Sequence, residues 1–297
     1  MSGADGGAEV VVLGSAQDGG VPHAGCLCPR CEAARANHRL RRLPASIGLR
    51  AGDEWLIVDA TDAFEEQMHM LWSRRPASRG HAGERYRPPE TVILTHAHTG
   101  HYVGIWQLDR SVLAAPGTRV LAPPRTAAFL AANEPWAGMA AEGFIRIEAL
   151  EWGRSLPFAG GVEIEPLEVP HRTETAAPDS SPTDTTALLL RGPRYSLLYL
   201  PDIDFWEQWE RDVAEVVASV DVALLDGTFW QSPTSRDVPH PPIVQTMGRL
   251  EHLVGQTRIV FTHLNHTNPA LTAGSPEATE LARRGFEVAR EGMRFDI

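Results

Sequence analysis

The chain of 297 residues has no lysine: its 27 basic residues are all arginine. Without a lysine there is no Schiff-base nucleophile, which excludes ordinary pyridoxal-phosphate chemistry, and no phosphate loop of the kind that closes on a lysine. Apolar runs of about 18 residues, the length of a membrane span, are missing too, so no membrane partner is expected. Residues 1–9 are Gly/Ala-rich and acidic. They lack the basic and apolar stretches of a secretion signal, and a cytoplasmic protein is expected. The chain also lacks a basic excess. It carries 38 acidic residues against 27 basic ones, a net charge of −11, and non-specific nucleic-acid binding needs cations that displace counterions. Cysteine is scarce. Cys26, Cys28 and Cys31 stand together in GCLCPRC, too few to pair evenly and spaced like a metal clip rather than a disulfide framework.

What is present is enough for a sizeable core, with 43% hydrophobic and 22% charged residues. Short apolar runs bounded by turn formers recur. EVVVLG reads as an opening strand, SIGLRAGDEWLIVDA as a hairpin around Gly52 and Asp53, and Thr91–Leu94 as a buried strand that runs into a histidine-rich loop. Further strands are expected at TRVLAP, 143–148, 162–169, 187–190, 196–200, 222–225 and 258–261. Helices are expected at 63–74, 103–110, 126–132, 205–217, 243–254 and 276–284. The polar segments 73–90 and 173–184 read as exposed loops. No sequence repeat or low-complexity linker divides the chain, so residues 1–297 are read as one domain of two β-rich halves with helices outside.

Twelve histidines are present, and their placement is informative. His96 and His98 lie in LTHAHTGH directly after an apolar strand, where alternate residues point the same way and can reach one metal. His101 follows a glycine at which the chain can turn, so it can face the same cavity from the other side. His171, Asp202 and His263 each follow a strand. Any one of these is unremarkable as a capping or surface residue. Together they form a converging set of imidazole and carboxylate, the donors that borderline and harder divalent metals take.

LTHAHTGH, then VPH, LPD and FTH in that order, resemble the metallo-β-lactamase fold superfamily, whose hallmark is His-x-His-x-Asp-His followed by a His, a bridging Asp and a final His. The resemblance implies a four-layer αββα sandwich with the metal site at one edge. Carried over, His96, His98 and His171 hold a first metal, His101 and His263 a second, and Asp202 bridges. GCLCPRC, DGTFW, PHPPI and FTHLNHTNP narrow the resemblance to the pyrroloquinoline quinone biosynthesis protein B group. The Cys clip is also similar to that of the cyclic phosphodiesterase of phosphonate breakdown. One position departs from the pattern: the motif Asp is Gly100 here. A weaker or empty second site is therefore expected, and Gly100→Asp is expected to raise its occupancy.

Three thiolates need a fourth ligand to close a structural zinc site, and no fourth cysteine exists. His266, three residues after His263, is the first choice, because a His at that spacing closes the site in the phosphodiesterase relative; His23 and His240 are the alternatives. Asp226 in LLDGTFW is read as a carboxylate that orients a metal-bound His. His240, between two prolines, is read as lining the site mouth, with a catalytic role beside Asp202. Trp206, Trp209, Phe229 and Trp230 are read as a substrate wall, with two of them core.

The leading functional expectation is a metallohydrolase of a small ester, lactone, amide or phosphodiester, with one or two divalent metals (zinc, alternatively iron or manganese) besides one structural zinc. In it Asp202 orients the attacking water or acts as general base. The alternative, implied by the quinone-biosynthesis resemblance, is an Fe(II)-dependent oxygenase that hydroxylates a tyrosine-derived precursor. A small-molecule substrate is the expected partner, and a homodimer is left open.

Overall fold

Alternating apolar runs become two packed sheets in the computed structural model of the chain, which describes residues 7–73, 87–172, 184–231 and 239–297. The first sheet takes β1 (Ala8–Gly14), β2 (Ser46–Ala51), β3 (Glu54–Val58), β4 (Thr91–Ile93), β5 (Thr118–Ala122) and β6 (Ile145–Ala149). The second takes β7 (Leu156–Phe158), β8 (Val162–Val169), β9 (Thr185–Arg191), β10 (Ser196–Leu200), β11 (Val222–Asp226), β12 (Arg258–Thr262) and β13 (Glu287–Val288). A last strand, β14 (Arg294–Asp296), returns to pair with β1. The spatial orders are β14-β1-β2-β3-β4-β5-β6 and β13-β12-β11-β10-β9-β8-β7. Each sheet begins as an antiparallel meander and ends in parallel strands: β3 to β6 in the first, β10 to β13 in the second.

Side-chain alternation explains the layering. Val10 and Val12 of β1 face the second sheet and pack with Leu49, Leu190, Tyr199, Leu224 and Val260. Their neighbours Val11 and Leu13 face outward, with Trp55, Ile57 and Val92. A period of two with both faces buried is the mark of a sheet covered on each side. The outer cover of the first sheet is α2 (Phe64–Trp72), α3 (Thr99–Tyr102), α4 (Pro124–Ala132) and α5 (Trp136–Ala141). That of the second is α6 (Val213–Ala218), α7 (Ile243–Leu250) and α8 (Pro276–Arg283). The expected αββα sandwich is present. No helix among the described residues is long and apolar enough to cross a membrane.

The structure differs from the sequence reading at several elements. The helix expected at 103–110 is a short α3 followed by a 3-10 turn, Val103–Leu108. Gly104 presses its backbone onto the loop after β3: its N–H donates to the Ala60 carbonyl at 2.8 Å, and a Cβ there would lie 2.0 Å from the Thr61 carbonyl. The helix expected at 205–217 breaks into a 3-10 turn, Trp206–Gln208, and α6, because Asp212 caps the Ala214 N–H at 2.8 Å and restarts the helix there. Not anticipated were β7, β13, β14, α5 and the helix after the cysteines, α1 (Pro29–Ala36). Most of the two expected polar loops lies outside the described residues. Asp184, at the end of the second, accepts from the N–H groups of Arg125 and Thr126 and so caps α4 from a distant part of the chain.

Candidate metal centre

The strands deliver the candidate ligands to one edge of the sandwich. His96 and His98 follow β4, His171 follows β8, Asp202 follows β10 and His263 follows β12, each just past a strand's C-terminal end. His101 sits on α3 one turn beyond His98. His96 Nε2 lies 2.9 Å from His98 Nδ1, which is 3.3 Å from His171 Nε2. These three imidazoles form one group; His101 and His263 belong to an adjacent one.

The ring orientations have identifiable causes. Thr95 donates its hydroxyl to Asp59, so its oxygen accepts from His96 Nδ1 at 2.9 Å. Asp59 takes His101 Nδ1 at 2.9 Å and Asp204 takes His171 Nδ1 at 2.8 Å. Thr228 donates to Asp226 and accepts from His263 Nδ1 at 2.9 Å. In each case Nδ1 donates outward, which directs Nε2 into the site, where its lone pair is available to a metal that displaces any proton held there. Burial and the neighbouring imidazoles hold His96 well below its ordinary pKa, and His98 is lowered to about 4. Burial also opposes charge on His101, but Asp59 and Asp18 outweigh it and hold this imidazole well above its usual range. Two residues of this framework, Asp59 and His263, have left-handed φ values of 67° and 58°. That conformation costs on the order of 1–3 kcal/mol each, and such outliers concentrate at functional sites.

Asp202 lies between the two groups. Its carboxylate is 3.7 Å from His171 Nε2, 3.6 Å from His101 Nε2 and 3.4 Å from His263 Nε2. It is 1% exposed, and neither oxygen has a hydrogen-bond donor. Burial pushes such a carboxyl up, yet the surrounding imidazoles outweigh this and hold it below its ordinary value.

Gly100 receives a different explanation from the one expected. Asp18, on the loop after β1, occupies the space beside it: a Cβ on Gly100 would lie 2.5 Å from Asp18 Cβ and 2.7 Å from its Cα. Gly100→Asp is therefore expected to collide with Asp18 rather than simply add a ligand. Asp18 Oδ1 is 3.1 Å from His101 Nε2 and 3.2 Å from His263 Nε2. Burial raises the Asp18 carboxyl, but bonding to His101 and His263 holds it far below the carboxylate range. Sequence reasoning missed this residue because Asp18 in QDGG reads as a turn former. It missed Asp59 as well, in the apparent hairpin end VDA. Asp204, the second acidic residue of PDID, serves the first group, where it holds His171.

The cysteine cluster takes as its fourth member His266, 240 residues along the chain from Cys26. His266 Nδ1 lies 3.6 Å from Cys26 Sγ, 4.0 Å from Cys28 Sγ and 3.7 Å from Cys31 Sγ. Of the alternatives, His23 instead packs its ring against His266 at 4.6 Å and donates its backbone N–H to Cys31 Sγ. His240 is elsewhere, buried in the histidine site, where it donates Nδ1 to Asp226 at 2.6 Å. Asp226 thus holds His240 directly and His263 only through Thr228. Burial disfavours charge on His240, but Asp226 with Asp202 and Asp204 overcomes it, and the imidazole is raised to about 9. Phe229 stands 6.0 Å from the His240 ring, whereas Trp206 and Trp209 are core.

A family pattern described as the beta-lactamase superfamily domain matches residues 54–264. The chain belongs to this superfamily. It is 28% identical over 312 residues to coenzyme PQQ synthesis protein B of Methylobacterium radiotolerans, spanning 97% of this chain and 100% of that one. Among solved structures, the Zn(2+)-bound PqqB of Methylobacterium extorquens superposes with a TM-score of 0.78 at 24% identity, over 97% of this chain and 100% of that one. A diphosphatase from the PhnP family superposes with a TM-score of 0.68 at 19% identity, over 97% and 96%. These superpositions establish the metallo-β-lactamase fold. The superfamily match begins at β3, so β1, the Asp18 loop and the cysteines lie outside it.

Proposed function

We propose that this protein is a metallohydrolase with two divalent cations at the histidine site and a structural zinc at the cysteine cluster. The observation that carries the reading is Asp202. A buried carboxylate with no hydrogen-bond donor on either oxygen costs several kcal/mol on general grounds unless a cation satisfies it. Inward lone pairs flank it on both sides. In this reading His96, His98 and His171 hold one cation, His101 and His263 the other, and Asp202 lies between them. Zinc suits the donors, with manganese or iron as alternatives. Cations bound there supply a nucleophile from water near neutral pH and polarise a carbonyl or phosphoryl oxygen.

The chain's own residues supply the rest. Asp59, Thr95, Asp204 and Thr228 keep the ring protons on the outer nitrogens. Asp202 orients the attacking water. His240, kept protonated by Asp226, is the group available to give a proton to the leaving oxygen or nitrogen. The substrate is a small ester, lactone, amide or phosphodiester. At the cysteine cluster, Cys26, Cys28, Cys31 and His266 supply four donors, and the N–H groups of His23 and Cys28 donate to thiolate sulfur at 3.3 and 3.4 Å, which stabilises charge there.

A second reading, Fe(II)-dependent oxygen chemistry, is favoured by the similarity to coenzyme PQQ synthesis protein B along nearly the whole chain. One experiment separates the two. The apoprotein is reloaded in parallel with Zn(II), Mn(II) or Fe(II). Each form is offered a chromogenic phosphodiester and a chromogenic carboxylic ester, and oxygen uptake is followed with a tyrosine-derived substrate. Hydrolysis with Zn(II) or Mn(II), and no oxygen uptake, is expected. Oxygen uptake by the Fe(II) form alone, with no hydrolysis by any form, rejects the hydrolase reading.

A further inference from the structure

We propose that Asp18 is a ligand of the second cation and has taken over the role of the motif carboxylate that Gly100 lacks. This rests on the dinuclear reading above. Asp18 lies 83 residues before His101 in the chain, yet its side chain grows out of the space a side chain at position 100 would use. A Cβ at 100 would meet Asp18 Cβ at 2.5 Å and Cγ at 2.7 Å. Two side chains cannot both stand there, so the glycine is what lets the carboxylate enter from the N-terminal loop. The backbone of Gly100 does not have a left-handed φ; the need for glycine is one of space alone.

The electrostatics point to a cation. Asp18 Oδ1 faces the Nε2 atoms of His101 and His263 at 3.1 and 3.2 Å. Those atoms bear lone pairs when Nδ1 is committed to Asp59 and Thr228. An anionic oxygen and two imidazole nitrogens converging at this range need positive charge among them, a proton in the absence of metal and a cation in its presence. Asp18, His101 and His263 are close enough to share one ion, and Asp202 approaches the same two imidazoles from the other side.

The loop that carries Asp18 is fastened on both sides to the segment that carries His263. Before Asp18, Gln17 N–H donates to the Leu264 carbonyl at 3.0 Å, Leu264 N–H donates to the Ser15 carbonyl at 3.0 Å, and Asn265 donates to the Gln17 side chain. Within the turn, Gly20 N–H donates back to the Gln17 carbonyl at 2.7 Å. Beyond it, the cysteines meet His266. The cysteine cluster thus clamps the loop that delivers the ligand, three residues from the histidine with which that ligand shares its cation.

The test is a transplant, read by metal binding rather than turnover. Zinc content is measured by elemental analysis, and affinity by chelator competition, for the unaltered full-length chain, Asp18→Gly, Asp18→Asn, Gly100→Asp and the double variant Asp18→Gly/Gly100→Asp. Thermal denaturation checks folding. The unaltered chain is expected to bind two equivalents beyond the cysteine site. Asp18→Gly and the nearly isosteric Asp18→Asn are expected to weaken one equivalent by at least about tenfold, since loss of even an outer partner costs 10–100-fold. Gly100→Asp is expected to lower the melting temperature, and the double variant to recover affinity. An equivalent held as tightly in Asp18→Asn as in the unaltered chain overturns the assignment, and so does a folded double variant no tighter than Asp18→Gly. Fewer than two equivalents in the unaltered chain refutes the dinuclear reading itself, and the assignment with it, so the two failures are told apart by the unaltered protein.

Discussion

Asp59→Asn is expected to abolish tight binding at the second cation site without altering any of its proposed ligands. The Asp59 carboxylate is fully buried and accepts on both oxygens: Oδ1 takes the Thr95 N–H at 2.8 Å and its hydroxyl at 3.0 Å, and Oδ2 takes His101 Nδ1 at 2.9 Å. An amide can accept on only one side. With its oxygen toward Thr95, its NH2 faces His101 Nδ1, and the imidazole must move its proton to Nε2, which points into the second site and can then bind no cation. With its oxygen toward His101, the NH2 faces the Thr95 N–H, leaving a buried donor unpaired at a cost of about 1–3 kcal/mol. The first orientation costs the site at least the 10–100-fold in affinity typical of a lost supporting carboxylate, about 1.4–2.7 kcal/mol. The second shows as a lower melting temperature. Chelator competition and a melting curve, run on one preparation, cover both. The first site is expected to hold its metal, because Thr95 still reaches His96. Unchanged affinity for both equivalents together with an unchanged melting temperature would refute the idea that Asp59 sets the His101 tautomer.

Other outcomes follow from the same structure. Cys28→Ser is expected to release one equivalent of zinc and to lower thermal stability, whereas retained zinc and an unchanged melting temperature would reject a structural site at Cys26, Cys28, Cys31 and His266. His240→Gln is expected to lower kcat far more than it changes KM, with the loss greatest for substrates with poor leaving groups. His240 is raised to about 9, so its charged, proton-donating form prevails below that value and is lost above it. Cations beside it lower this limit, which places the alkaline limb of kcat at or below pH 9. His240→Gln is expected to remove that limb, and a variant that keeps it excludes His240 as the donor. Leu224, 0% exposed between the sheets, is expected to cost about 2–5 kcal/mol when cut to alanine, measured by urea denaturation. A loss well under 1 kcal/mol would show that the sandwich interior there is not close-packed.

Much of the frame was legible in the chain because it depends on local chemistry. Alternating runs specify strands buried on one face and continuous apolar runs strands buried on both, and 162–169, of the first kind, and 196–200, of the second, begin and end in the structure where the pattern places them. His96 and His98 share a direction because they are two residues apart beside a strand. His171, Asp202 and His263 could be chosen because each follows such a run. Where the reading failed, packing between distant segments decided. The helix at 103–110 tightened because Gly104 is pressed against the loop after β3; the split at 205–217 is the exception, a local one, because Asp212 caps a new start two residues on. The gap in the histidine motif is the sharpest case. Read along the chain, Gly100 is a lost carboxylate and implies a weakened site. Only the folded chain shows that the space left by its missing side chain is filled by Asp18, carried there by a loop whose hydrogen bonds to 264 and 265 join residues almost 250 positions apart. A ligand set is defined by where oxygens and nitrogens converge, and convergence across such separations is a property of the tertiary structure that no local pattern encodes.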